Sequence, residues 1–413
     1  MRKVLVVGAG QAGLQLALGL RQHSYEVTLA SARTPAEIRE GRVMSTQCMF
    51  DTALAHEREL GLNLWDDVAP TVDGIGVSLA GPDGSRVFDF LGALGGPGQA
   101  VDQRIKMPTW IELFEKKGGE VVYEQHTPET LDAVASRYDL VVVAAGRGPL
   151  AELFPVDADR TTFDGPQRAL AVAYVDGLHR RPEHPDRDGV FFNVIPGVGE
   201  IFSIPGYTFS GPCYMPIFEG IPGGPLDCWS DKPGPEEQWQ RMLELLRQFV
   251  PWEYERFKDA KLTDDRATLT GSVKPVVRRP VAQLPSGTPV LGMGDAVAAN
   301  DPITGQGANN ASKCAKSYLD SILERGAEPF DAEWMQQAFE RYWEHAQTVH
   351  AWTNAMLMPP TEHVLQVFGA AGSHQPVADL VASSFSAPSA ESLKWYFDAA
   401  EAQAALGRLV GQG

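Results

Sequence analysis

Three glycines close to the N-terminus have the spacing of a turn that binds a dinucleotide. They follow a short apolar run, 3–7, and precede a longer apolar segment, 14–20. This pattern of strand, glycine turn and helix is the first half of a βαβ unit. The first glycine permits the tight turn, the second lets a pyrophosphate approach the backbone, and the third lets the helix pack on the strand. Backbone N–H groups at the positive end of the helix dipole would hold the diphosphate. The residues of this first site are Gly8, Gly10, Gln11, Ala12 and Gly13.

A second apolar run, 26–30, continues the unit but lacks one expected residue. The second strand of such a unit usually ends with Asp or Glu, which binds the ribose hydroxyls. Here the strand ends in Ala30 and Ser31, and Glu26 lies at its start. Either other groups hold the ribose, or the nucleotide is held loosely.

Another strand–loop–helix pattern occurs in the last third of the chain. The apolar run 290–293 ends at a Gly-Asp pair, and a loop rich in Pro and Gly leads into a helix at about 306. An aspartate at the end of a strand can accept a hydrogen bond from a ribityl hydroxyl, and a helix N-terminus can stabilise charge on a reduced flavin ring. Two such sites in one chain predict a flavin dinucleotide cofactor. The residues of the second site are Gly294, Asp295, Pro302, Gly305, Gly307, Ala308 and Asn309.

Other elements must bring the two sites together. The pattern predicts a hairpin at 75–90, a helix at 107–117 with Pro108 in its first turn, and an apolar strand at 139–146 that returns to the parallel sheet. From about 165 to 232, short β-type runs alternate with Gly and Pro, which is typical of an antiparallel sheet. Long helices follow towards the C-terminus.

These elements predict an α/β protein built around a Rossmann-type FAD-binding domain. We expect that domain to be discontinuous, to include a β-hairpin insertion, and to be interrupted by an antiparallel β-sheet substrate domain. A C-terminal helical region follows. The predicted bounds are 1–165 and 265–330 for the FAD-binding domain, near 70–100 for the hairpin, 166–264 for the substrate domain and 331–413 for the helical region.

Composition narrows the classes of function. The net charge of −18 argues against nucleic acids and anionic membranes as partners. No apolar run has transmembrane length, and the chain enters a strand too early for a signal peptide. The four cysteines are scattered without metal spacing, so they indicate reduced thiols in a cytoplasmic protein. The nine histidines form no metal motif either, and we predict no metal site.

Both glycine-rich sites, together with Gly41 and Arg42, resemble those of FAD-dependent aromatic monooxygenases. Further stretches are similar to the two-component styrene/indole monooxygenases, the group E flavoprotein monooxygenases, and the resemblance runs to about 360. It implies an aromatic-hydroxylase-like fold with FAD as cofactor, and contacts from Arg42 to the adenosine side and from Ala145 and Gly146. The stretches are 20–23, 100–102, 166–170, 199–201, 204–205 and 352–354.

Two absences favour the two-component group. Single-component relatives carry an Asp-Gly pair near the end of the strand at 139–146, but here 144–148 read Ala-Ala-Gly-Arg-Gly. The chain also has no second glycine-rich βαβ unit for a pyridine nucleotide. We therefore expect it to take reduced FAD from a separate NAD(P)H:flavin reductase. Whether the reductase docks, and whether the protein is a homodimer, stays open.

The resemblance implies an oxygenase that acts on electron-rich double bonds. Reduced FAD would react with dioxygen, and the resulting flavin hydroperoxide would transfer its distal oxygen to the substrate while the protein excludes water. Pro302 would shape the loop beside the reacting ring, and N–H groups at Gly305 and Gln306 would face that ring. Ser45 completes the group of residues expected at the reaction site.

Residues 44–49 carry the most information about the substrate. Styrene-preferring members tend to have Asn, Val and His where this chain has Ser45, Gln47 and Met49, whereas indole-preferring members have Ser, Gln and Met. Val72 and Ile75 also follow the indole pattern. Gln47 could accept a hydrogen bond from an indole N–H. We therefore predict epoxidation of indole, leading to indoxyl and indigo, with styrene and aryl sulfides as secondary substrates.

The sequence says less about the apolar walls of the substrate site than about residues 44–49. Phe202 and Tyr207 are candidates for these walls. Three alternatives stay open: a styrene monooxygenase proper, a single-component NAD(P)H-dependent aromatic hydroxylase, and a flavin-binding regulator without turnover. The substitutions at 45, 47 and 49 could also be packing variants.

Overall fold

The computed structural model describes residues 1–411, which form two large sheets, a two-stranded sheet of β15 and β18, and their covering helices. In chain order the strands are β1 Lys3–Val7, β2 Glu26–Ser31, β3 Cys48–Met49, β4 Thr71–Ala80, β5 Arg86–Ala100, β6 Glu120–Tyr123, β7 Leu140–Val143, β8 Ala169–Ala173, β9 Val175–Asp176, β10 Gly189–Ile195, β11 Gly199–Thr208, β12 Gly211–Gly220, β13 Lys261–Leu262, β14 Thr268–Ser272, β15 Val276–Val277, β16 Val281–Gln283, β17 Pro289–Gly292 and β18 Ala298–Ala299. The helices are α1 Gln11–Gln22, α2 Pro35–Arg39, α3 Asp51–Glu59, α4 Gln103–Lys116, α5 Pro128–Ala135, α6 Pro149–Glu152, α7 Pro235–Phe249, α8 Pro251–Phe257, α9 Gly307–Arg325, α10 Ala332–Met356, α11 Glu362–Ala371, α12 Gln375–Ser386, α13 Lys394–Phe397 and α14 Ala399–Val410.

The smaller sheet has six strands in the order β16-β17-β7-β1-β2-β6. β1 pairs in parallel with β2 and with β7, and β6 and β17 extend the parallel part on either side. The central strands β1 and β7 are apolar runs without alternation, and all their side chains except that of Lys3 are buried, as expected where helices cover both faces. The carboxyl ends of β1, β2, β6, β7 and β17 therefore meet at one edge, where open parallel sheets bind ligands.

The predicted hairpin lies in the larger sheet and not in the FAD-binding part, so this assignment was wrong. β4 pairs with β5 inside the hairpin, and it also pairs in parallel with β10. Glycines on β4 make this fit possible, because a Cβ at Gly76 would lie 2.4 Å from the ring of Phe191 on β10. The other pairs of the ten-stranded order β13-β9-β12-β11-β10-β4-β5-β3 are antiparallel.

The helix α4 begins four residues before its predicted start. Asp102 caps it by accepting the N–H of Arg104 at 2.8 Å, and the guanidinium of Arg104 returns to the Asp102 carboxylate and also binds Asp264. This cap outweighs Pro108, which lies inside the helix and not in its first turn. The buried ion pairs anchor α4 to the segment after β13.

Three large hydrophobic cores pack on the sheets, and α10 contributes to two of them, whereas α7 and α8 pack on the third. Trp334 to Ala346 belong to the core of the parallel sheet, whereas Trp352 belongs to the core of the larger sheet. The helices α11, α12 and α14 cover that second core. No helix among residues 1–411 combines the length and the apolar composition needed to cross a bilayer.

Candidate functional site

The turn between β1 and α1 leaves open space on its outer side. Gly8 has a φ of +120°, and a Cβ there would lie 2.8 Å from the carbonyl carbon of Ala144. A Cβ at Gly13 would lie 2.0 Å from the Gly8 carbonyl oxygen, so only glycine lets α1 approach β1 this closely. A Cβ at Gly10 would meet no atom within 4 Å. Gly10 is the N-cap and has no side chain to cap α1, so the first N–H groups are available to an anion.

The side chain of Gln11 points into the protein. Its amide nitrogen donates to Gln15 at 3.0 Å and to Glu57 at 2.9 Å, and Glu57 in turn forms a buried ion pair with Lys106 at 2.6 Å. The amide nitrogen of Gln11 is therefore used within the protein and is not free for a ligand, whereas its backbone N–H lies at the start of α1.

A cavity of about 130 Å³ lies at the carboxyl ends of β1, β2, β6 and β7. At this edge β2 ends without a carboxylate, and Glu124, which follows the neighbouring strand β6, lines the cavity. Arg42 is exposed and makes no hydrogen bond or ion pair with any residue in 1–411. The cavity is lined by Val7, Gly8, Ala30, Ala32, Glu124, Gln125, His126, Ala145, Arg147, Pro149 and Leu150.

The second predicted site lies beside the first. Gly294 has a φ of +58°, and a Cβ there would lie 3.2 Å from the Cβ of Ala12. A Cβ at Gly146 would lie 2.5 Å from the Cβ of Asp295. Residues from three distant segments, all predicted to bind the cofactor, thus meet at the edge of one sheet.

The side chain of Asp295 is exposed to solvent, yet surrounding protein raises the pKa of Asp295, an effect that Arg147 and Arg278 oppose. Asp295 is therefore free to accept hydrogen bonds from a ligand.

The loop from Asp301 to Gly307 presents three free N–H groups at the start of α9. Gly305, in the left-handed conformation with a φ of +64°, donates its own N–H to Pro302 at 2.7 Å. The prediction that the Gly305 N–H faces a ligand was therefore wrong, because the turn uses this group. The N–H groups of Gln306, Gly307 and Ala308 have no acceptor within residues 1–411, and no side chain caps α9. A Cβ at Gly307 would meet nothing within 4 Å.

Asn309 holds two loops together and has no free side-chain group for a cofactor. Its amide nitrogen donates to the carbonyl oxygens of Cys48 and Gly305, both at 2.9 Å, and its oxygen accepts the N–H of Phe50 at 2.8 Å. Its predicted role changes accordingly, since these contacts fix the substrate segment 45–50 against the loop after β18.

Gln47 combines a strained backbone with an unused acceptor. Its φ of +46° is unusual for a residue with a side chain. The side chain is only 8% exposed, and its carbonyl oxygen accepts no hydrogen bond within residues 1–411. A buried oxygen without a donor costs free energy unless a ligand supplies the donor.

The structure brings some of the other predicted substrate residues together and separates the rest. An irregularity in β4 between Val72 and Gly74 lets Val72 and Ile75, three residues apart, enter the same core as Phe202. Tyr207 lies five residues after Phe202, so it faces the other side of β11 and packs on the other core.

Two further predicted residues lie outside that core. Met49 packs against Ala53, Leu54 and Ala308. Ser45 is exposed, and its hydroxyl already accepts a hydrogen bond from Gln103 at 2.7 Å.

Five buried aromatic side chains lie beside this group, and we term them the aromatic cluster: Phe50, Phe192, Phe202, Trp352 and Phe385. Ring centroids are 4.7 Å apart for Phe192 and Phe202 and 4.7 Å for Trp352 and Phe385. Phe50 lies 3.9 Å from the position of a Cβ on Gly305, so the cluster borders the loop before α9.

The sequence analysis missed Phe385. This residue lies in α12, far from every motif, and enters the site because Gln306 donates a hydrogen bond to its carbonyl oxygen at 2.8 Å. The signal in the sequence is weak, consisting only of an aromatic residue at the end of an apolar helix. No group of three His, Cys, Asp or Glu side chains within the described chain could hold a metal ion.

Comparisons with known proteins identify the family of the chain. Residues 146–256 match a family model described as "Styrene monooxygenase A putative substrate binding domain". The styrene monooxygenase StyA of Pseudomonas fluorescens is 31% identical over 362 residues, which cover 86% of this chain and 85% of that enzyme.

Solved structures with a similar fold are flavoproteins. A triple mutant of the flavin-dependent brominase Bmp2 aligns with a TM-score of 0.70 at 15% identity, over 97% of this chain and 99% of that chain. A flavoprotein/dehydrogenase from Cytophaga hutchinsonii aligns with a TM-score of 0.68 at 15% identity, over 98% and 100%. The fold class predicted from the sequence is thereby confirmed. The identity and coverage of the Pseudomonas relative show that the chain belongs to the styrene monooxygenase StyA family.

Proposed function

We propose that this family member is the oxygenase component of a two-component monooxygenase that uses reduced FAD and dioxygen to epoxidise indole. The observation that carries the proposal is the meeting of two glycine-rich sites beside a buried aromatic cluster. One site suits a diphosphate, the other suits a flavin ring, and the cluster suits an apolar substrate.

The cavity at the edge of the parallel sheet supports FAD and not a mononucleotide. It lies beyond the glycine turn, where the adenosine half would extend past the pyrophosphate. Glu124 offers a carboxylate for the ribose hydroxyls, and the exposed Arg42 is free for the adenosine side. Asp295 would accept a hydrogen bond from the ribityl chain, and Gly146, which has no side chain, lets Asp295 pack closely against the end of β7.

The protein residues orient the reactants and exclude water. Bound reduced FAD, together with dioxygen, would supply the electrophilic oxygen that adds to the double bond of the substrate. The free N–H groups of Gln306, Gly307 and Ala308 and the dipole of α9 would stabilise negative charge at the ring edge. Pro302 fixes the turn that carries them, and the aromatic cluster keeps water from the reaction site.

An external reductase follows from the absence of a second nucleotide site. Within residues 1–411, one glycine-rich turn joins a parallel strand to a helix at the sheet edge, and that turn is assigned to FAD. The reducing equivalents of NAD(P)H would therefore reach the protein as reduced FAD.

Indole is the preferred substrate because Gln47 has a buried oxygen that lacks a donor. The pyrrole N–H of indole supplies such a donor, and this contact would present the adjacent double bond to the oxidant. Styrene and aryl sulfides have no N–H group, so they fit the apolar cluster without satisfying Gln47. The epoxide of indole opens to indoxyl, which oxidises to indigo.

Aerobic turnover of indole by the purified protein tests the proposal. One reaction contains FAD and NADH alone, and a second adds an unrelated flavin reductase and catalase. Indigo in the second reaction only is the expected result. Indigo in both would disprove the external reductase, and styrene oxide without any indigo would assign the enzyme to styrene.

The role of Gln47 has its own test in the variant Gln47→Met, which keeps the length of the side chain and removes the acceptor. We expect kcat/KM for indole to fall by about 10- to 100-fold, the value of one hydrogen bond to a buried group. The matched control is 1-methylindole, which has no N–H and should lose little. An equal loss with both substrates would mean that Gln47 only shapes the pocket.

A further inference from the structure

The side-chain amide of Gln103 holds one end of the substrate segment 45–50. It donates to the carbonyl oxygen of Ser45 at 3.0 Å and to the hydroxyl of the same residue at 2.7 Å. The hydroxyl of Tyr174, a fully buried residue, donates to the same carbonyl oxygen at 3.5 Å. Because a carbonyl oxygen only accepts hydrogen bonds, these contacts fix the main chain at Ser45 and determine which end of the Gln103 amide faces it.

Gln103 itself is carried by a rigid support. It is the first residue of α4 and follows Asp102, the cap of that helix. The carboxylate of Asp102 is fully buried and accepts hydrogen bonds from the side chains of Arg104 and Thr208, both at 2.7 Å. The N–H of Asp102 donates to the carbonyl oxygen of Tyr207 at 2.9 Å. The start of α4 is therefore fixed to the end of β11, and Gln103 projects from a defined point.

The other end of the segment is held from α9. The side chain of Asn309 binds the carbonyl oxygen of Cys48 and the N–H of Phe50, and β3 pairs with the end of β5. Gln47 lies between the two fixed ends. None of these contacts involves the side chain of Gln47, so they act on its main chain through the neighbouring residues.

Two unfavourable features of Gln47 would disappear if the segment were free. Its φ of +46° costs free energy in a residue that has a side chain, and its buried carbonyl oxygen has no donor within residues 1–411. Rotation of the backbone to a negative φ would relieve the first cost, and a turn of the side chain towards water would relieve the second. The observed conformation therefore depends on the contacts that fix the residues on either side of Gln47.

We propose that Gln103 is a positioning residue that acts through Ser45 to keep Gln47 in its left-handed conformation, and that it thereby determines the preference for aromatic substrates with a ring N–H. In this assignment Ser45 is the anchor point of the segment and does not touch the reacting atoms. The choice of substrate rests on the proposed function, whereas the restraint on the segment does not.

The variant Gln103→Met tests this role, because it keeps the length of the side chain and removes both hydrogen bonds to Ser45. We expect kcat/KM for indole to fall about 5-fold, mainly through a higher KM, since the acceptor on Gln47 is no longer held in place. The value for 1-methylindole, which has no N–H, should change less than about twofold. Gln22→Met is the matched control. It removes a similar hydrogen bond, to the Leu60 carbonyl oxygen at 2.7 Å, at the far end of α1, and it should change neither value.

A double-mutant cycle shows whether Gln103 acts through Gln47. In the Gln47→Met background, Gln103→Met should cause no further loss of kcat/KM for indole. A further loss as large as in the wild type would show that the two residues act independently and would overturn the proposal. If Gln103→Met does not fold, Gln103→Glu takes its place in the cycle, because a carboxylate cannot donate to the Ser45 carbonyl oxygen and is favourable in the first turn of α4.

Hydrogen exchange of the purified protein, measured by mass spectrometry, gives a readout that needs no turnover. The peptide 43–50 should exchange faster in Gln103→Met than in the wild type, and at the wild-type rate in Gln22→Met. Unchanged exchange in Gln103→Met would overturn the restraint on the segment. If the wild-type protein oxidises neither indole nor styrene, the proposed function fails, and the exchange experiment still decides whether Gln103 holds the segment.

Discussion

The cofactor edge and the aromatic cluster are built in opposite ways. At the cofactor edge, glycines such as Gly8 and Gly13 remove side chains, and unpaired backbone N–H groups offer the binding capacity. In the aromatic cluster, large side chains such as Trp352 and Phe385 fill the space, and few polar atoms remain. We therefore expect the first region to recognise a ligand through the backbone and the second to recognise it through shape.

This difference determines how each region tolerates change. A backbone site fails when any side chain enters it, because the clash is with main-chain atoms that cannot move aside. A packed apolar site loses stability gradually and can adopt a new shape. The cofactor edge should therefore show all-or-none effects, and the aromatic cluster should show graded ones.

The largest effect is expected for Gly13→Ala, whose new Cβ would lie 2.0 Å from the Gly8 carbonyl oxygen. Because α1 and β1 would have to separate, we expect the variant to lose several kcal/mol of stability and to accumulate little folded protein. Gly10→Ala is the control, since its Cβ meets no protein atom. It should melt close to the wild type and bind FAD more weakly. If the two variants melt at the same temperature, then Gly13 is not required for close packing of α1 on β1, and the proposed difference between the two glycines is wrong.

The next effect is expected for Phe385→Ala in the aromatic cluster. Loss of a buried aromatic ring costs about 3–5 kcal/mol, measured by chemical unfolding. The cavity should also shift specificity from indole towards a larger alkene such as 2-vinylnaphthalene. Phe397, which is 50% exposed, offers the matched control, and Phe397→Ala should change neither property. If Phe385→Ala unfolds more easily but keeps its specificity, Phe385 belongs to the core and not to the substrate site.

A smaller effect is expected for Asp295→Asn, which should raise the stability of the protein and lower its affinity for FAD. Burial raises the pKa of Asp295, so the carboxylate destabilises the flavin-free protein as the pH rises, and Asn should stabilise it. FAD affinity should fall by about 10-fold, because an ionised acceptor of a hydrogen bond is replaced by a neutral one. In the wild type, affinity should also weaken as acid protonates Asp295. Asp259→Asn, at an exposed site, is the control. If it changes stability and FAD affinity as much as Asp295→Asn does, the effects come from net charge and not from the position of Asp295.

The sequence predicted the glycine turns at this edge because their residue types are dictated by the backbone, whereas their role in binding a cofactor stays a prediction. Gly8, Gly13, Gly146 and Gly294 occupy places where a Cβ would contact another segment closely, so their types and spacing identify the turns. The exceptions are groups used by the protein itself. The side chain of Asn309 and the N–H of Gly305 are satisfied internally, and local sequence does not reveal such partners.

The aromatic cluster was harder to predict because its members meet only through tertiary packing. Phe385 arrives from α12, and the irregularity in β4 decides that Val72 and Ile75 share a core. The placement of the hairpin in the larger sheet depends on a parallel pairing with β10, more than a hundred residues away. Alternating apolar residues predict a strand, but they do not specify its neighbour.

The long helix α10 packs in both regions, so we expect the stability of one region to depend on the other. Its 25 residues span roughly 37 Å, which is enough to cross both cores. The first turns pack on the parallel sheet, and Trp352 in the last turns packs in the aromatic cluster. Neither half can therefore melt without exposing part of a helix that the other half needs. We therefore expect the two proposed ligand sites, although built by different means, to unfold together as one cooperative unit.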